Sequence, residues 1–306
     1  MYTALSAQRP STAWLISTGA LTNSALLFAT YPHLSTHIRG VSIMGGAIGS
    51  LFTHALLGRL PLSLAPTLHR TLPAGLPATL PPAAAAALLQ HHGLLRGPSA
   101  ALPAGPLAAR VAAAAAPGNA SAAAEFNIYV DPEAAGAVLG RGALARRATL
   151  VPLDVTHQVL ATAAVARVVR GEGAKGAGAP ASRLRALFAE ILAFFAHTYE
   201  CEFGMVEGPP LHDPLAVAAA LWPALFDDNG GERFEVCVVK GDGKGAGGCE
   251  GGDGRQGECG RTVVRMLEKG AEGVRIPRTL DIDAFWCLID LALGVAEGRG
   301  GMDFDK

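Results

Sequence analysis

The sequence has no excess of charge of either sign. Lys and Arg total 25 residues and Asp and Glu total 26, so the formal net charge is −1. No cluster of basic residues is dense enough to neutralise several phosphates along one face, as a nucleic-acid-binding surface requires. The charge pattern therefore argues against a nucleic-acid partner.

Cysteine is also scarce, and its spacing is not that of metal ligands. The five cysteines include no CxxC pair, and their odd number does not fit a fully paired disulfide framework. We therefore expect reduced thiols. The cysteines are Cys201, Cys237, Cys249, Cys259 and Cys287.

Signals for export or membrane insertion are missing as well. Residues 1–10 contain no apolar run behind a basic start, as a signal peptide would. The most apolar window, residues 41–66, is interrupted by His54, Arg59 and several glycines, so it is a poor membrane span. We expect a cytoplasmic protein with no membrane partner.

The first fifty residues alternate between strand-like and helix-like segments. Residues 14–17 (WLIS) form a short apolar run that ends at a Thr-Gly turn, and residues 21–30 have helical spacing before Tyr31-Pro32. A second apolar run, residues 41–44, ends at Gly45-Gly46. This order predicts a βαβ unit with two parallel strands.

The alternation continues in the second half of the chain. Residues 148–153 read as a third strand, and helical patterns flank it at 132–139 and 157–169. We therefore predict the α/β class, in which loops at the carboxyl ends of parallel strands hold the ligand.

Two stretches interrupt this order. Residues 50–116 consist almost wholly of Ala, Leu, Pro and Gly, and the prolines forbid a long helix. We interpret them as a low-complexity insertion between the segments 1–49 and 117–306. Residues 241–260 are Gly-rich and lie between two strand-like runs, 233–239 and 262–266, which predicts a hairpin with an enlarged tip.

Asn119, Glu125 and Asn127 place two amides and a carboxylate within nine residues. Such groups can hold the paired hydroxyls of a sugar. They can equally cap the following helix, which is the commoner use of Asn and Glu before a helix. Asp131, followed by Pro132, is a good N-cap for a second helix.

His212 and Asp213 precede a second apolar helical run, residues 215–221. Asp213 could cap that helix, or its carboxylate could bind a hard cation while His212 gives a proton to a leaving group. Thr18, in the turn after the first strand, and Met44, at the end of the second, can have ordinary turn and packing roles.

Five motifs occur together and in one order: STGALTN at 17–23, VSIMGGA at 41–47, GNASAAAEFNIYVDPEAA at 118–135, VPLDVTH at 151–157 and LHDPLAV at 211–217. Each resembles a signature of the inosine/uridine-preferring nucleoside hydrolases, and the third is highly specific. The resemblance covers residues 12–49 and 117–239 and continues weakly to Trp286. It implies an open, mainly parallel sheet with helices on both faces.

The resemblance also implies an activity and a set of site residues. The expected reaction is calcium-dependent hydrolysis of the N-glycosidic bond of purine or pyrimidine ribonucleosides to free base and ribose. By resemblance, the Thr18 carbonyl and the Asp213 carboxylate would bind Ca²⁺, and His212 would protonate the leaving base. The residues expected to hold the sugar are Met44, Asn119, Glu125, Phe126 and Asn127.

One family feature is not found in this sequence. The family has a DxDxGxDD motif at the end of its first strand, which supplies the base for water and further calcium ligands, and no segment of that form occurs here. We expect the chain to resemble the C-terminal two-thirds of the family, without the N-terminal strands beside residues 14–17, which leaves an open sheet edge. Two hypotheses follow: the chain belongs to a nucleoside hydrolase, or it is a non-catalytic relative that binds nucleosides or pairs with an intact subunit. The resemblance separately allows a homo-oligomer.

Overall fold

The computed structural model describes residues 1–49, 52, 53, 55, 57, 117–140, 142–172, 182–203, 205–241 and 257–299. Most of the 50–116 tract and most of the Gly-rich loop lie outside these residues. The division of the chain at 49 and 117 therefore stays a prediction. The ends of the tract are close together: a Cβ on Gly49 would lie 2.8 Å from the Pro117 side chain.

Helices and strands alternate through the described residues. The helices are α1 (Tyr2–Ser6), α2 (Thr22–Thr30), α3 (Leu34–His37), α4 (Phe126–Val130), α5 (Pro132–Leu139), α6 (Gly142–Ala145), α7 (Leu153–Thr156), α8 (Ala163–Arg170), α9 (Arg183–Phe203), α10 (Asp213–Leu221) and α11 (Ile282–Arg299), with a 3-10 helix at Pro223–Leu225. The strands are β1 (Trp14–Ser17), β2 (Gly40–Met44), β3 (Ala148–Val151), β4 (Phe226–Asp227), β5 (Phe234–Val238), β6 (Thr262–Met266) and β7 (Thr279–Leu280).

The central sheet has the order β1-β2-β3, and both pairs are parallel. Ser17 pairs with Ile43, and Met44 pairs with Val151, so the three strands end at one edge. This confirms the predicted α/β class and the βαβ unit. β1 is the outer strand of the described sheet, as the expected open edge requires.

Alternate residues of β2 face opposite layers of helices, as the period of two in a strand dictates. Val41 and Ile43 belong to the core that contains residues of α2, α3, α5 and α6. Ser42 points to the other side, where its hydroxyl donates to the Ala216 carbonyl of α10 at 2.6 Å. All five residues of β2 are buried, so the helices on both faces are confirmed.

Most predicted element positions are confirmed. α5 spans the predicted residues 132–139, and the Asp131 carboxylate caps it by accepting the N–H of Ala134 at 3.0 Å. β5 and β6 form the predicted antiparallel hairpin, in which Val238 pairs with Thr262.

Two predictions are wrong. Residues 157–162 of the helix predicted at 157–169 are not helical: α8 begins only at Ala163, where Thr162 caps it by accepting the N–H of Val165 at 3.3 Å, and the short helix α7 lies before the predicted range. The expectation of five reduced cysteines is also incorrect, because Cys237 is disulfide-bonded. Free thiols are found at Cys201, Cys259 and Cys287.

Among the described residues, no helix combines the length and the apolar composition that crossing a membrane requires.

Candidate active site

Glu125 is the most firmly held polar side chain at the carboxyl end of β2. It is 2% exposed, and its carboxylate accepts three backbone N–H groups: Gly46 at 2.8 Å, Asn127 at 2.9 Å and Ile128 at 3.2 Å. Two of these bonds cap α4, so the capping role considered for Glu125 is confirmed. The third ties α4 to the end of the sheet.

Gly46 has a backbone conformation that permits this tie. Its φ is +84°, and a Cβ at this position would lie 3.1 Å from the Thr262 hydroxyl oxygen. A side chain would be strained in the backbone and crowded against β6. Glycine therefore allows the N–H of residue 46 to point at Glu125.

Asn127 is also buried and reaches back to β2. Its amide nitrogen donates to the Met44 carbonyl at 3.0 Å and contacts the Met44 sulfur at 3.2 Å. Asn119 is nearby in the same loop, where its amide oxygen accepts the N–H of Phe126 at 2.9 Å. The Phe126 ring itself is exposed. The structure thus brings together the five residues expected to hold the sugar.

His212 lies just before α10. Its Nε2 is 2.7 Å from the Tyr199 hydroxyl, and its Nδ1 is 2.8 Å from the Thr156 hydroxyl. The ring of His157 is 5.7 Å away, centroid to centroid. Both nitrogens of His212 are therefore engaged by hydroxyl groups rather than by carboxylates.

Burial determines the protonation of this group. Burial, with a smaller contribution from the neighbouring His157, lowers the pKa of His212 to about 3. The imidazole is therefore neutral at pH 7. Burial also raises the pKa of Tyr199 to about 12, with a further contribution from the negative charges of Glu125 and Asp213.

Asp213 shares the site with Glu125 and differs from it in its contacts. Burial raises the pKa of Asp213, and the charge of Asp213 contributes to the raised pKa of Glu125, whose main cause is again burial. Asp213 is the first residue of α10, and neither it nor His212 caps that helix through a side-chain hydrogen bond. The capping role considered for Asp213 is therefore not observed.

Thr18 follows the last residue of β1. Because Ser17 pairs with Ile43, Thr18 lies level with Met44 at the same edge of the sheet. Its role as a metal ligand stays a prediction.

Sequence reasoning missed three residues of this site. Thr156 and Tyr199 were given no role, although they bind the two ring nitrogens of His212. The third is Asp154, whose buried carboxylate accepts the N–H groups of Ile48 and Gly49 at 2.8 and 2.9 Å. Burial raises the pKa of Asp154 to about 6. Asp154 and Thr156 lie in the motif VPLDVTH, so the motif was a usable signal, whereas Tyr199 lies in no such motif.

The described residues do not form a complete calcium site. Calcium takes six to eight oxygen ligands, and no group of three or more His, Cys, Asp or Glu residues in the described ranges could hold a metal ion. Asp213 and the Thr18 carbonyl are two oxygen donors at most. These residues therefore do not fit a tightly held calcium ion by themselves.

Comparison with known proteins places the chain in a family. The family model described as "Inosine-uridine preferring nucleoside hydrolase" matches residues 1–287. A uridine nucleosidase of Saccharomyces cerevisiae is 28% identical over 206 residues, which are 67% of this chain and 40% of the relative. An inosine-uridine preferring nucleoside hydrolase of Leishmania major is 35% identical over 181 residues, which are 58% of this chain and 48% of the relative. The chain spans about half the length of the curated relatives it matches.

A solved structure supports the fold. The purine-preferring ribonucleoside hydrolase from Gardnerella vaginalis has a TM-score of 0.56 at 20% identity, over 94% of this chain and 61% of that chain. At this identity the likeness concerns the fold alone. The match of the family model over residues 1–287 shows that the chain belongs to the inosine-uridine preferring nucleoside hydrolase family.

Proposed function

We propose that the chain provides the ribose-binding half of a site that hydrolyses the N-glycosidic bond of purine and pyrimidine ribonucleosides to free base and ribose. One observation carries the proposal. The segment 119–127 is fixed to the carboxyl end of β2 by Glu125 and Asn127, and the charges of Glu125 and Asp213 act on each other. Polar groups from two distant segments therefore converge where an α/β sheet binds its ligand.

The sugar-binding groups have capacity left for a ligand. Asn127 uses its nitrogen on Met44, so its amide oxygen can accept a ribose hydroxyl. Asn119 uses its oxygen on Phe126, so its amide nitrogen can donate. The Glu125 carboxylate accepts three N–H groups and has about four acceptor positions. One donor and two acceptors are thus available for vicinal hydroxyls.

The proton needed by the leaving base is the second requirement. Because its pKa is about 3, His212 is neutral at pH 7. At that pH His212 therefore provides no protonated imidazole that could donate a proton to the leaving base. The neutral imidazole has one ring N–H, which can stabilise the negative charge that develops on the leaving base by a hydrogen bond, while the hydroxyls of Tyr199 and Thr156, at 2.7 and 2.8 Å, hold the ring in position. Full transfer of a proton requires that His212 first gains one from solvent or from the substrate. His212 thus remains the proposed group that acts on the leaving base.

Calcium is part of the proposal only through Asp213 and Thr18. Asp213 is exposed and its charge has no ion-pair partner among the described residues, so its carboxylate is accessible to a cation. Two donors bind calcium weakly. We expect the affinity of this chain for calcium to be low, and we assign the protein to the cytoplasm as part of the same proposal.

A second candidate is a chain that binds nucleosides without cleaving them, or that pairs with another subunit. Two observations favour it: no group of three or more His, Cys, Asp or Glu residues in the described ranges could hold a metal ion, and His212 is neutral at pH 7. This candidate predicts binding of inosine without release of ribose.

The two candidates are separated by one set of measurements on the purified chain. Saturation-transfer NMR with inosine and uridine measures binding, and a reducing-sugar assay with calcium or with a chelator measures ribose release. The variant Asn127→Ala should lose binding, and the control Gln8→Ala, an exposed amide in the segment before β1, should keep it. Ribose release that a chelator abolishes supports hydrolysis, and binding alone supports the second candidate. Absence of binding contradicts both.

A further inference from the structure

Asp154 lies in the short helix α7 and is engaged through both its side chain and its backbone. Its buried carboxylate accepts the N–H groups of Ile48 and Gly49 at 2.8 and 2.9 Å. Its carbonyl accepts the Thr53 hydroxyl at 2.6 Å and the Gln158 amide at 2.8 Å. The two N–H groups lie 106 and 105 residues earlier in the chain, so the carboxylate does more than cap its own helix.

The segment that Asp154 holds, residues 45–49, follows β2 and has little conformational preference of its own. Gly46 and Gly49 both have a positive φ, +84° and +68°. Glycine adopts such values about as readily as negative ones, so it permits this shape without enforcing it. Hydrogen bonds from outside the segment therefore select the observed conformation, and the Asp154 carboxylate supplies two of them.

Gly46 connects this segment to the candidate site. Its N–H donates to the Glu125 carboxylate at 2.8 Å, and its carbonyl accepts the N–H of Leu153 at 2.9 Å. The peptide groups on the two sides of Gly46 are thus fixed, one by Glu125 and the other by the first residue of α7. A change of conformation at residues 48 and 49 would turn these peptide groups and move the N–H away from Glu125.

We propose that Asp154 is a positioning residue of the nucleoside site, which holds segment 45–49 so that the Gly46 N–H stays on Glu125. The inference rests on the proposed function, because Glu125 is one of the groups assigned there to the ribose. Without the Gly46 bond, the Glu125 carboxylate keeps two backbone partners, both in its own helix α4. The tie between α4 and the end of the sheet is then lost, and the sugar-binding groups are held less precisely.

The same short helix reaches the leaving-group side of the site. Thr156 follows Asp154 by two residues, and its hydroxyl lies 2.8 Å from Nδ1 of His212. α7 has only four residues in a single hydrogen-bonded turn, so its two ends move together. Anchoring this helix at Asp154 therefore also fixes the separation between Glu125 and His212.

The charge of Asp154 strengthens its hold on the segment. Burial raises the pKa of Asp154 to about 6, while its backbone hydrogen bonds and the positive charge of Arg278 oppose the shift. The described residues of segment 45–53 carry no charged side chain, and the ring of His157, after α7, lies 5.7 Å from that of His212. The ionised carboxylate accepts both N–H groups, whereas the protonated form gives up one acceptor position.

The first test reads the titration of the Glu125 carboxyl group by ¹³C NMR in the wild type and in Asp154→Asn. Loss of the Gly46 bond should raise the pKa of Glu125, because that bond favours the charged form. Loss of the Asp154 charge alone would lower this pKa, because a nearby negative charge disfavours a second one. A raised pKa supports the proposal, and an unchanged or lowered pKa overturns it.

The second test measures the affinity for inosine by NMR titration. Asp154→Asn should weaken binding about tenfold, as expected when one hydrogen bond to a charged group is lost. The control Asp228→Asn makes the same exchange in a carboxylate that accepts the Gly231 N–H at 3.1 Å and pairs with Arg233 and Arg275. It should change the affinity less than about twofold, and circular dichroism checks that both variants are folded.

The outcomes separate this inference from the proposed function. Equal weakening by Asp154→Asn and Asp228→Asn contradicts a positioning role for Asp154. A wild type that binds no inosine contradicts the proposed function, whereas the titration of Glu125 still decides whether Asp154 holds the Gly46 bond.

A third measurement uses the wild type alone and does not depend on the folding of a variant. The ¹³C carboxyl signal of Asp154 gives its own midpoint, expected near pH 6. As Asp154 takes up its proton, the Gly46 amide proton should move upfield with the same midpoint, because its bond to Glu125 weakens. A Gly46 signal that follows only the midpoint of Glu125 overturns the proposal.

Discussion

The two carboxylates of the candidate site are held in opposite ways. Glu125 is buried among three backbone N–H groups from the end of β2 and the start of α4. Asp213 begins α10 and makes no cap through its side chain. Both have a raised pKa, mainly because of burial, but only Glu125 has hydrogen bonds that oppose the shift. Glu125 is therefore part of the fold, and Asp213 is the group with unused capacity for a ligand.

The largest expected effect on stability comes from removing the Glu125 carboxylate, which accepts three backbone hydrogen bonds. Glu125→Ala leaves three buried N–H groups without an acceptor, and each such loss costs about 1–3 kcal/mol. We expect the free energy of unfolding to fall by about 4 kcal/mol, measured by urea denaturation. Glu125→Gln keeps the shape and should lose about half as much. A loss below about 1 kcal/mol for Glu125→Ala would show that these bonds do not hold the loop.

The next prediction concerns the loss of stability at acidic pH that His212 causes. The native pKa of about 3 lies below the ordinary value of 6.5, so the unfolded chain binds the proton better. The stability that depends on a neutral His212 is fully present above pH 6.5 and is lost as the pH falls from 6.5 towards 3. The slope of this loss is about 1.4 kcal/mol per pH unit.

Protonation of Asp154 has the opposite effect on stability over part of this pH range. Its native pKa of about 6 lies above the ordinary 3.8, so the native state holds the proton better and gains stability as the pH falls from 6 to 3.8. In the wild type the two contributions offset each other between about pH 4 and pH 6. His212→Gln should remove one of them, so the variant should gain about 2–3 kcal/mol relative to wild type from about pH 6 to pH 4. Equal slopes for the two proteins in urea titrations would refute the buried, neutral imidazole.

A smaller effect is expected from the Tyr199 hydroxyl. Tyr199→Phe removes the group that bonds Nε2 of His212 at 2.7 Å and leaves that nitrogen unpaired. The expected loss is about 1–2 kcal/mol. Tyr129→Phe, in an exposed ring, is the control and should change stability by less than about 0.5 kcal/mol. Equal losses for both variants would mean that the hydroxyl is not part of the site.

The smallest change should follow Asp213→Asn. Removing this charge relieves its partial desolvation and its repulsion with Glu125, and loses only a favourable position of an exposed carboxylate at the start of α10. We expect the free energy of unfolding to change by less than about 1 kcal/mol, while any calcium-induced rise of the melting temperature disappears. A loss as large as that of Glu125→Ala would abolish the distinction between the two carboxylates.

The parts of the fold that follow from local pattern were predictable. The strands at 14–17, 41–44 and 262–266 are short apolar runs bounded by turn residues, and α5 begins at an Asp-Pro pair. The late start of α8 at Ala163 was missed, because it depends on one side-chain cap at Thr162 within a continuous apolar pattern. α9 was not predicted at all: its apolar residues cover two faces, so the sequence has no single amphipathic stripe.

The site was predictable where its residues lie in motifs. Glu125 and Asn127 were recognised, but their attachment to Gly46 and Met44 connects positions about 80 residues apart and has no local signal. The same holds for Tyr199, whose contact with His212 depends on how the chain turns between α9 and α10. The neutral state of His212 follows from burial in the folded chain, and a sequence does not contain that quantity.

The hydrogen bond between Tyr199 and His212 has a consequence for cooperativity. Tyr199 belongs to α9, whose opposite face exposes large apolar side chains, so one helix carries a site contact and an exposed apolar face. Linkage makes any coupling reciprocal: the factor by which contacts on that face change nucleoside affinity equals the factor by which the nucleoside changes the affinity of those contacts. A titration of either equilibrium thus measures both.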